Sequence, residues 1–384
     1  MTRSDQRDPP GSSTGPAANS TEPAANSTES TARTSDLAPQ THPAPQLIPA
    51  APHPEAIVVI GGSAGSLPPL VELVAGLPAD LPAAVLVVVH RGDRASSQLA
   101  EILSRAGRLP ATMAQDGEPV RAGHIYVAPP RRHLITSSGW TRLGNGPRVN
   151  RHRPAIDLLF ASTVQWSRRR TVAVVLSGVL DDGAVGTALI SRSGGRVLVE
   201  DPAEATFAGM PAAALAAAPG AHAVPADHLA RCVLEQLTEL RDSPDLPSLH
   251  ISGRETEMGM ADSDDPGYLA EDETKLTRMV CPECGGSLAQ VDLPRITYFR
   301  CHTGHQYAPQ TLAAAQADTA EAKLWSAVAA LEEQAALLRY LADLPTRPAE
   351  TPSPAESADE VARRAAVLRK HVQQWATPLP GQPD

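Results

Sequence analysis

Between residues 56 and 240 the chain repeatedly breaks longer alanine- and leucine-rich stretches with short, nearly continuous runs of β-branched and aliphatic residues. The runs are Ala56–Ile60, Ala84–Val89, Ile125–Ala128, Val172–Leu176 and Arg196–Val199. A strand with one face in water alternates apolar and polar residues, whereas a strand without polar positions has to be covered on both faces. Segments near 67–77, 94–106, 155–168, 183–193 and 226–241 carry helical patterns that can supply the cover. The alternation predicts an α/β fold, a doubly wound, mainly parallel sheet with helices on both faces.

The 384 residues include 37 prolines and only 3% aromatic residues, so one real core with long tails is expected. Residues 1–54 contain no Phe, Trp or Tyr, repeat P-A-A-N-S-T-E from Pro16 and again from Pro23, and read as a disordered tail. Asn19 and Asn26 lie in glycosylation sequons, but the N-terminus lacks the basic-then-apolar pattern of a secretory signal. No apolar run approaches the roughly 20 residues of a bilayer span. A cytoplasmic chain without membrane insertion is expected. A net charge of −10 argues against a nucleic-acid partner, and Arg168-Arg169-Arg170 reads as the solvated, cationic end of a helix.

Ligands of open parallel sheets bind outside the carboxyl ends of the strands, so polar residues just after the predicted strands are the candidates for function. Ser63 follows the first run within V-V-I-G-G-S-A-G-S-L, His90 ends V-L-V-V-V-H, and Asp181-Asp182 follow V-A-V-V-L-S-G-V-L. The first stretch lacks the glycines of a dinucleotide fingerprint but fits G-x-S-x-G, the spacing of a nucleophile on a sharp strand-to-helix turn. A serine needs an imidazole base, itself oriented by a carboxylate, and Ser63, His90 and Asp182 supply those types in an order different from that of the α/β-hydrolases. Singly, each has another reading. Ser63 fits a helix N-cap, His90 a hydrogen-bonded structural histidine, and Asp182 a cap for a helix beginning near Gly183.

Six motifs in order, I-G-G-S-A-G-S, V-V-V-H-R-G-D, I-Y-V-A-P-P-R-R-H-L, N-R-H-R-P-A-I-D-L-L-F, L-S-G-V-L-D-D-G-A-V-G and G-M-P-A-A-A-L, make residues 56–240 resemble CheB-type protein-glutamate methylesterases. The resemblance implies hydrolysis of glutamate γ-methyl esters on bacterial chemoreceptors, with glutamine deamidation as related chemistry. It assigns Ser63 as nucleophile, His90 as base and Asp182 as the orienting carboxylate, leaves Asp181 a neighbour, and points to the Ala64 N–H for the oxyanion. Arg131, Arg132, His133, Arg153 and Asp157 lie in matching motifs, as lining of the cleft or as surface pairs. The sequence departs from the family where Ser66 replaces a common glycine and where Val179-Leu180 replace Met-Gly. Family members commonly carry an N-terminal receiver domain, for which the 54 preceding residues are too few.

Beyond an acidic linker expected over 242–280, in which Glu255–Glu273 holds eight acidic and no basic residues, comes a Cys/His segment at 281–312. C-P-E-C at 281–284 and F-R-C-H-T-G-H at 299–305 offer Cys281, Cys284, Cys301 and His305 to a structural zinc ion, with His302 the second choice for the fourth ligand. Cys232 lies in an apolar helical segment and reads as core. A similar tail occurs on some receiver-less members of the methylesterase family. Over 313–376 a helical hairpin is expected, with Leu324, Val328, Leu331, Ala335 and Leu338 facing Val361, Ala365, Leu368, Val372 and Trp375 across a proline-rich break at 345–354. Residues 377–384 read as a second disordered tail.

These features predict a serine esterase needing no cofactor for catalysis. Methylated chemoreceptor domains or another signalling protein are its expected partners, with the hairpin as a further contact for a protein. Two alternatives stand beside it: a receiver-less regulatory homologue with weakened catalysis, and an esterase or amidase for another substrate.

Overall fold

A computed structural model describes residues 54–90, 98–167, 170–242, 274–344 and 353–375. The expected tails, Asn19 and Asn26, Arg168-Arg169, the acidic stretch up to residue 273 and most of the proline-rich break lie outside the described residues.

The first unit is built from β1 (Ala56–Gly62), α1 (Leu67–Ala75), β2 (Ala83–Val89), α2 (Leu99–Ala106), β3 (Ala111–Met113) and β4 (Ile125–Val127). A β5 (His133–Ser137) and β6 (Trp140–Gly144) hairpin follows, then α3 (Ile156–Trp166), β7 (Thr171–Val175), α4 (Ala184–Arg192) and β8 (Arg196–Glu200). The unit closes with α5 (Gly209–Ala217), β9 (His222–Val224) and α6 (Leu229–Asp242). Seven strands form one sheet in the order β3-β4-β2-β1-β7-β8-β9, and every pairing in it is parallel.

Successive side chains of a strand point to opposite faces, and here each set meets its own helices. Val58, Ile60, Val85 and Val174 pack with Leu70 and Leu73 of α1, Leu103 of α2 and Val233 of α6. Ile57, Val59, Leu86 and Val175 pack with Leu159 and Phe160 of α3 and Met210 of α5. Both sets are buried, so the apolar runs carry no polar residues except Arg196 at the half-buried start of β8. Cys232 is partly buried against the first cluster, as read from the sequence. The chain winds from β1 outward through β2 to one edge, then crosses back through α3 to β7 on the other side of β1. The strand order therefore reverses at β1, which opens a crevice at the carboxyl ends of β2, β1 and β7.

The second unit is a four-stranded sheet of β10 (Thr274–Val280), β11 (Ser287–Asp292), β12 (Thr297–Cys301) and β13 (Gln306–Tyr307), antiparallel throughout. Strand β10 corrects the linker boundary, since residues 274–280 belong to this sheet. α7 (Pro309–Ala342) and α8 (Pro354–Trp375) form the hairpin. α7 is a single helix that starts inside the expected Cys/His segment. Along it Val328 and Ala335 are buried and face Ala365 and Val372 of α8, the heptad seam read from the sequence. Ion pairs Arg369–Glu332 and Arg339–Asp359 flank the seam.

Candidate active site and metal centre

Ser63 stands at the turn between β1 and α1. Its N–H donates to the Ser177 carbonyl (2.9 Å), and the Gly62 carbonyl accepts the His90 N–H (3.0 Å), so the turn is tied to both neighbouring strand ends. Gly65, at φ +78, makes a left-handed bend that residues with a Cβ rarely adopt, and the chain turns sharply into α1 there. The N-cap of α1 is Ser66, not Ser63. Among the described residues the Ser63 hydroxyl and the Ala64 N–H have no hydrogen-bond partner. Ser66 is fully buried, and its hydroxyl donates to the Ser63 carbonyl (2.7 Å). A Cβ on Gly62 would fall 2.6 Å from that of Ser66, so the serine lies over a glycine that makes room for it.

His90 and Asp182 are brought together at the next two strand ends. Asp182 Oδ2 lies 2.8 Å from His90 Nε2, both side chains being almost wholly buried, in a close polar contact that falls short of an aligned hydrogen bond. The same oxygen accepts the Ile156 N–H (2.9 Å), and Oδ1 accepts the Asp157 N–H (3.1 Å) and the Asn150 amide (2.8 Å). Asp182 therefore caps the first turn of α3 and not the helix beyond Gly183, whose N-terminus has no side-chain cap. Burial opposes its charge, but the contact with His90, the fields of His90 and His152 and the Ile156 N–H hold the carboxyl well below the usual range. Asp157, in the first turn of α3, is pushed the other way by burial and by the Asp182 charge.

His152 stacks on His90, with ring centroids 3.6 Å apart and planes 9° from parallel. Burial and the neighbouring His90 lower its pKa to about 4, so a neutral ring covers one face of the imidazole near neutral pH. Sequence reading missed His152 and Asn150, although both lie in the motif N-R-H-R-P. The other residues of the matching motifs are otherwise engaged. Arg132 donates to the Leu143 carbonyl, Arg153 to those of Asn145 and Gly146, and buried His133 contacts the Pro147 carbonyl, which holds the loop over α3 together. Arg131 is exposed.

On the rim, Val179 is 54% and Phe207 37% exposed. The Phe207 backbone is fixed by Ser177 Oγ and by the Gly178 N–H (2.7 and 3.0 Å) beside the Ser63 turn. Leu180 has φ +68, a left-handed conformation unusual for a branched side chain.

The second cluster gathers Cys281, Cys284, Cys301 and His305, whose candidate ligand atoms all lie within 4.8 Å of one another. Cys284 Sγ is 3.6 Å from Cys301 Sγ, and Cys301 Sγ is 3.5 Å from His305 Nδ1. These separations approach the about 3.8 Å edge of a tetrahedron with metal–sulfur bonds of roughly 2.3 Å. Gly304, at φ +98, turns the chain so that His305 points back, while His302 is exposed and contacts Thr303. The other nitrogen of His305 meets Glu283 (3.3 Å), the carboxylate-on-imidazole arrangement that orients a ligating histidine. The Thr303 hydroxyl contributes most to lowering the Cys284 thiol to about 6, while burial raises Cys281. Three soft thiols and one imidazole fit a zinc ion.

No described helix is long and apolar enough to cross a membrane. A family model described as CheB methylesterase matches residues 58–233. A protein-glutamate methylesterase/protein-glutamine glutaminase of Anaeromyxobacter dehalogenans is 37% identical over 179 residues, 47% of this chain and 52% of the relative. One from Symbiobacterium thermophilum is 39% identical over 159 residues, 41% of this chain and 44% of the relative. The chain thus spans about half the length of the curated relatives it matches. The crystal structure of the Thermotoga maritima CheB methylesterase catalytic domain is 31% identical, with 47% of this chain and 97% of that one covered and a TM-score of 0.45. Residues 58–233, the parallel-sheet unit, thus match as a CheB methylesterase domain.

Proposed function

We propose that residues 55–241 form a serine esterase of the protein-glutamate methylesterase type, with Ser63 as nucleophile, His90 as base and Asp182 as its orienting carboxylate. The observation that carries this reading is the buried His90–Asp182 contact beside an unpartnered Ser63 hydroxyl, at three adjacent strand ends. With Nε2 facing Asp182, Nδ1 is the nitrogen left to take the serine proton. Ser63 Oγ attacks the carbonyl carbon of a glutamate γ-methyl ester as its proton passes to His90. The oxyanion is held by backbone N–H groups, that of Ala64 among them. Collapse breaks the bond to methoxide, which leaves as methanol with the proton from His90. Water then attacks the acyl-enzyme and gives its proton to the imidazole, which passes it to Ser63 Oγ as that bond breaks, releasing the glutamate and free Ser63.

Neutral His152 assists by shielding His90 without adding a positive charge that would oppose the imidazolium. Val179 and Phe207 give the cleft apolar lips suited to a methylated side chain. The relatives' names support methylated glutamates of a protein as the substrate, with glutamine deamidation releasing ammonia by the same route, and methylated bacterial chemoreceptors are the proposed protein. A cytoplasmic site of action follows from that substrate. In the second unit Cys281, Cys284, Cys301 and His305 would hold a structural zinc ion, which takes no part in the chemistry.

Methanol release from methylated receptor fragments tests the reading. The wild type is expected to release methanol, and Ser63→Ala to lose on the order of a thousandfold or more in kcat with the fold unchanged. Release that persists in Ser63→Ala removes Ser63 as nucleophile, and none from the wild type removes this substrate class.

A further inference from the structure

The four-residue turn from Val149 to His152 links the Cys/His unit to the Asp182 carboxylate. Val149 and His152 close this turn through paired backbone hydrogen bonds (3.2 and 2.9 Å). Asn150 and Arg151 inside it have φ of 49 and 67, left-handed values that persist only where the surroundings hold them. The holding groups belong to the Cys/His unit. The Asn150 N–H donates to the Gln306 carbonyl (2.8 Å), and Asn150 Oδ1 accepts the N–H of Ala308 (2.7 Å), the residue before α7.

The other end of the same side chain reaches the site. Asn150 Nδ2 donates to Asp182 Oδ1 (2.8 Å) and to Asp157 Oδ2 (2.7 Å), so one amide bridges two buried carboxylates. Two residues on, His152 is stacked on His90. A single turn thus touches both the base and its orienting carboxylate, and its far side is fastened to β13.

Asp181 makes a second fastening. Its carboxylate accepts the N–H groups of Gln310 (2.7 Å) and Thr311 (3.1 Å) together with the Thr311 hydroxyl, and so satisfies the first turn of α7 from a distant part of the chain. Val185 of α4 shares a buried apolar cluster with Val291, Tyr298 and Ala308, and only a cavity of about 10 Å³ remains in the seam. Gln306 directly follows His305 and Ala308 lies three residues on, so a clasp of the four candidate metal ligands sets where Asn150 is held.

We propose that Asn150 is a positioning residue through which the metal-clasped Cys/His unit holds the His90–Asp182 pair in register, so that loss of the metal lowers the reactivity of Ser63. The inference rests on the triad reading above. With the unit clasped, Asn150 fixes Asp182 and the turn keeps His152 on His90. With it released, Asn150 loses the Gln306 bond to its backbone and the Ala308 bond to its side chain, and the imidazole loses both constraints.

The test uses the full chain and follows the rate of Ser63 labelling by a fluorophosphonate, alongside zinc content and kcat for a small ester. Removal of zinc by a chelator is expected to slow labelling and lower kcat about tenfold or more, by loss of charge-assisted hydrogen bonds around Asp182, and zinc added back restores both. Asn150→Ala is expected to bind one zinc per chain yet label slowly with and without it. Thr311→Val, which weakens the Asp181 fastening from the far side, is expected to label severalfold more slowly and keeps the question open to measurement if Asn150→Ala does not fold. Equal labelling of the loaded and stripped wild type, or a full zinc response in Asn150→Ala, overturns the inference and leaves the triad intact. No labelling of Ser63 in loaded wild type overturns the triad reading, and the inference with it.

Discussion

The parallel-sheet unit and the Cys/His unit both hold polar side chains at fixed separations, by different means. Around the sheet, two continuous clusters bury Val58, Val85 and Val174 on one face and Leu159, Phe160 and Val175 on the other, all with no exposure. The second unit has a small cluster of Cys281, Leu288, Cys301, Tyr307, Leu312 and Ala315, of which two members are also metal-ligand candidates. Its outer strand β10 exposes Leu276 (83%) and Val280 (49%). Where apolar burial fixes the backbone, a polar group such as the Ser63 hydroxyl can be left unpartnered and reactive. Where there is too little of it, the polar groups themselves have to supply the stability.

The comparison breaks most readily at the metal. Binding of zinc by small modules is worth on the order of 10 kcal/mol in folding free energy, so chelation is expected to open residues 274–312 to limited proteolysis while 55–242 stays resistant. Equal resistance in both regions of the stripped protein would mean that the second unit has a sufficient core after all.

A core truncation probes the other side. Phe160→Ala is expected to destabilise the sheet unit by about 3–5 kcal/mol in urea denaturation, with the zinc content of the second unit unchanged. Loss of zinc in that variant would show the two units to be one folding unit.

Acid sharpens the contrast within the active site. His152 titrates near pH 4 in the folded chain and near 6.5 unfolded, so between those values the unfolded chain binds the extra proton. Stability is then unaffected by this group above pH 6.5 and falls as the pH drops towards 4, by up to about 3 kcal/mol. His152→Phe is expected to flatten that part of a stability-against-pH curve, and an unaltered slope counts against a buried, neutral His152.

The smallest effect concerns Leu180. Its φ of +68 costs about 1 kcal/mol relative to glycine, part of which the greater freedom of unfolded glycine offsets. Leu180→Gly is expected to leave stability within about 1 kcal/mol of the wild type while changing KM more than the fold.

The strands flanking the site were legible because β1, β2, β7 and β8 are buried on both faces and so contain almost nothing but apolar residues. β3 and β9 have three residues each at the sheet edges, too few to show a pattern, and α5 is so rich in alanine that no face stands out. β10 was hidden because an exposed edge strand reads like a linker. Ser63, His90 and Asp182 could be named from their places after strands and from the family motifs. Asn150 could not, because its partner Ala308 is 158 residues away and the hydrogen bond leaves no local signal.

From the sequence alone came the central strands of the sheet, the polar residues at their carboxyl ends, the four candidate metal ligands and the heptad seam of α7 and α8. Each is a local property, set by side-chain periodicity or ligand spacing within one segment. The tertiary contacts alone show that Asp182 caps α3, that His152 lies on His90, that Ser66 folds over Gly62, and that Asp181 and Asn150 fasten the Cys/His unit to the candidate active site. Those contacts join segments far apart in the chain, and their partners are chosen by packing and by the need of buried polar groups for hydrogen bonds.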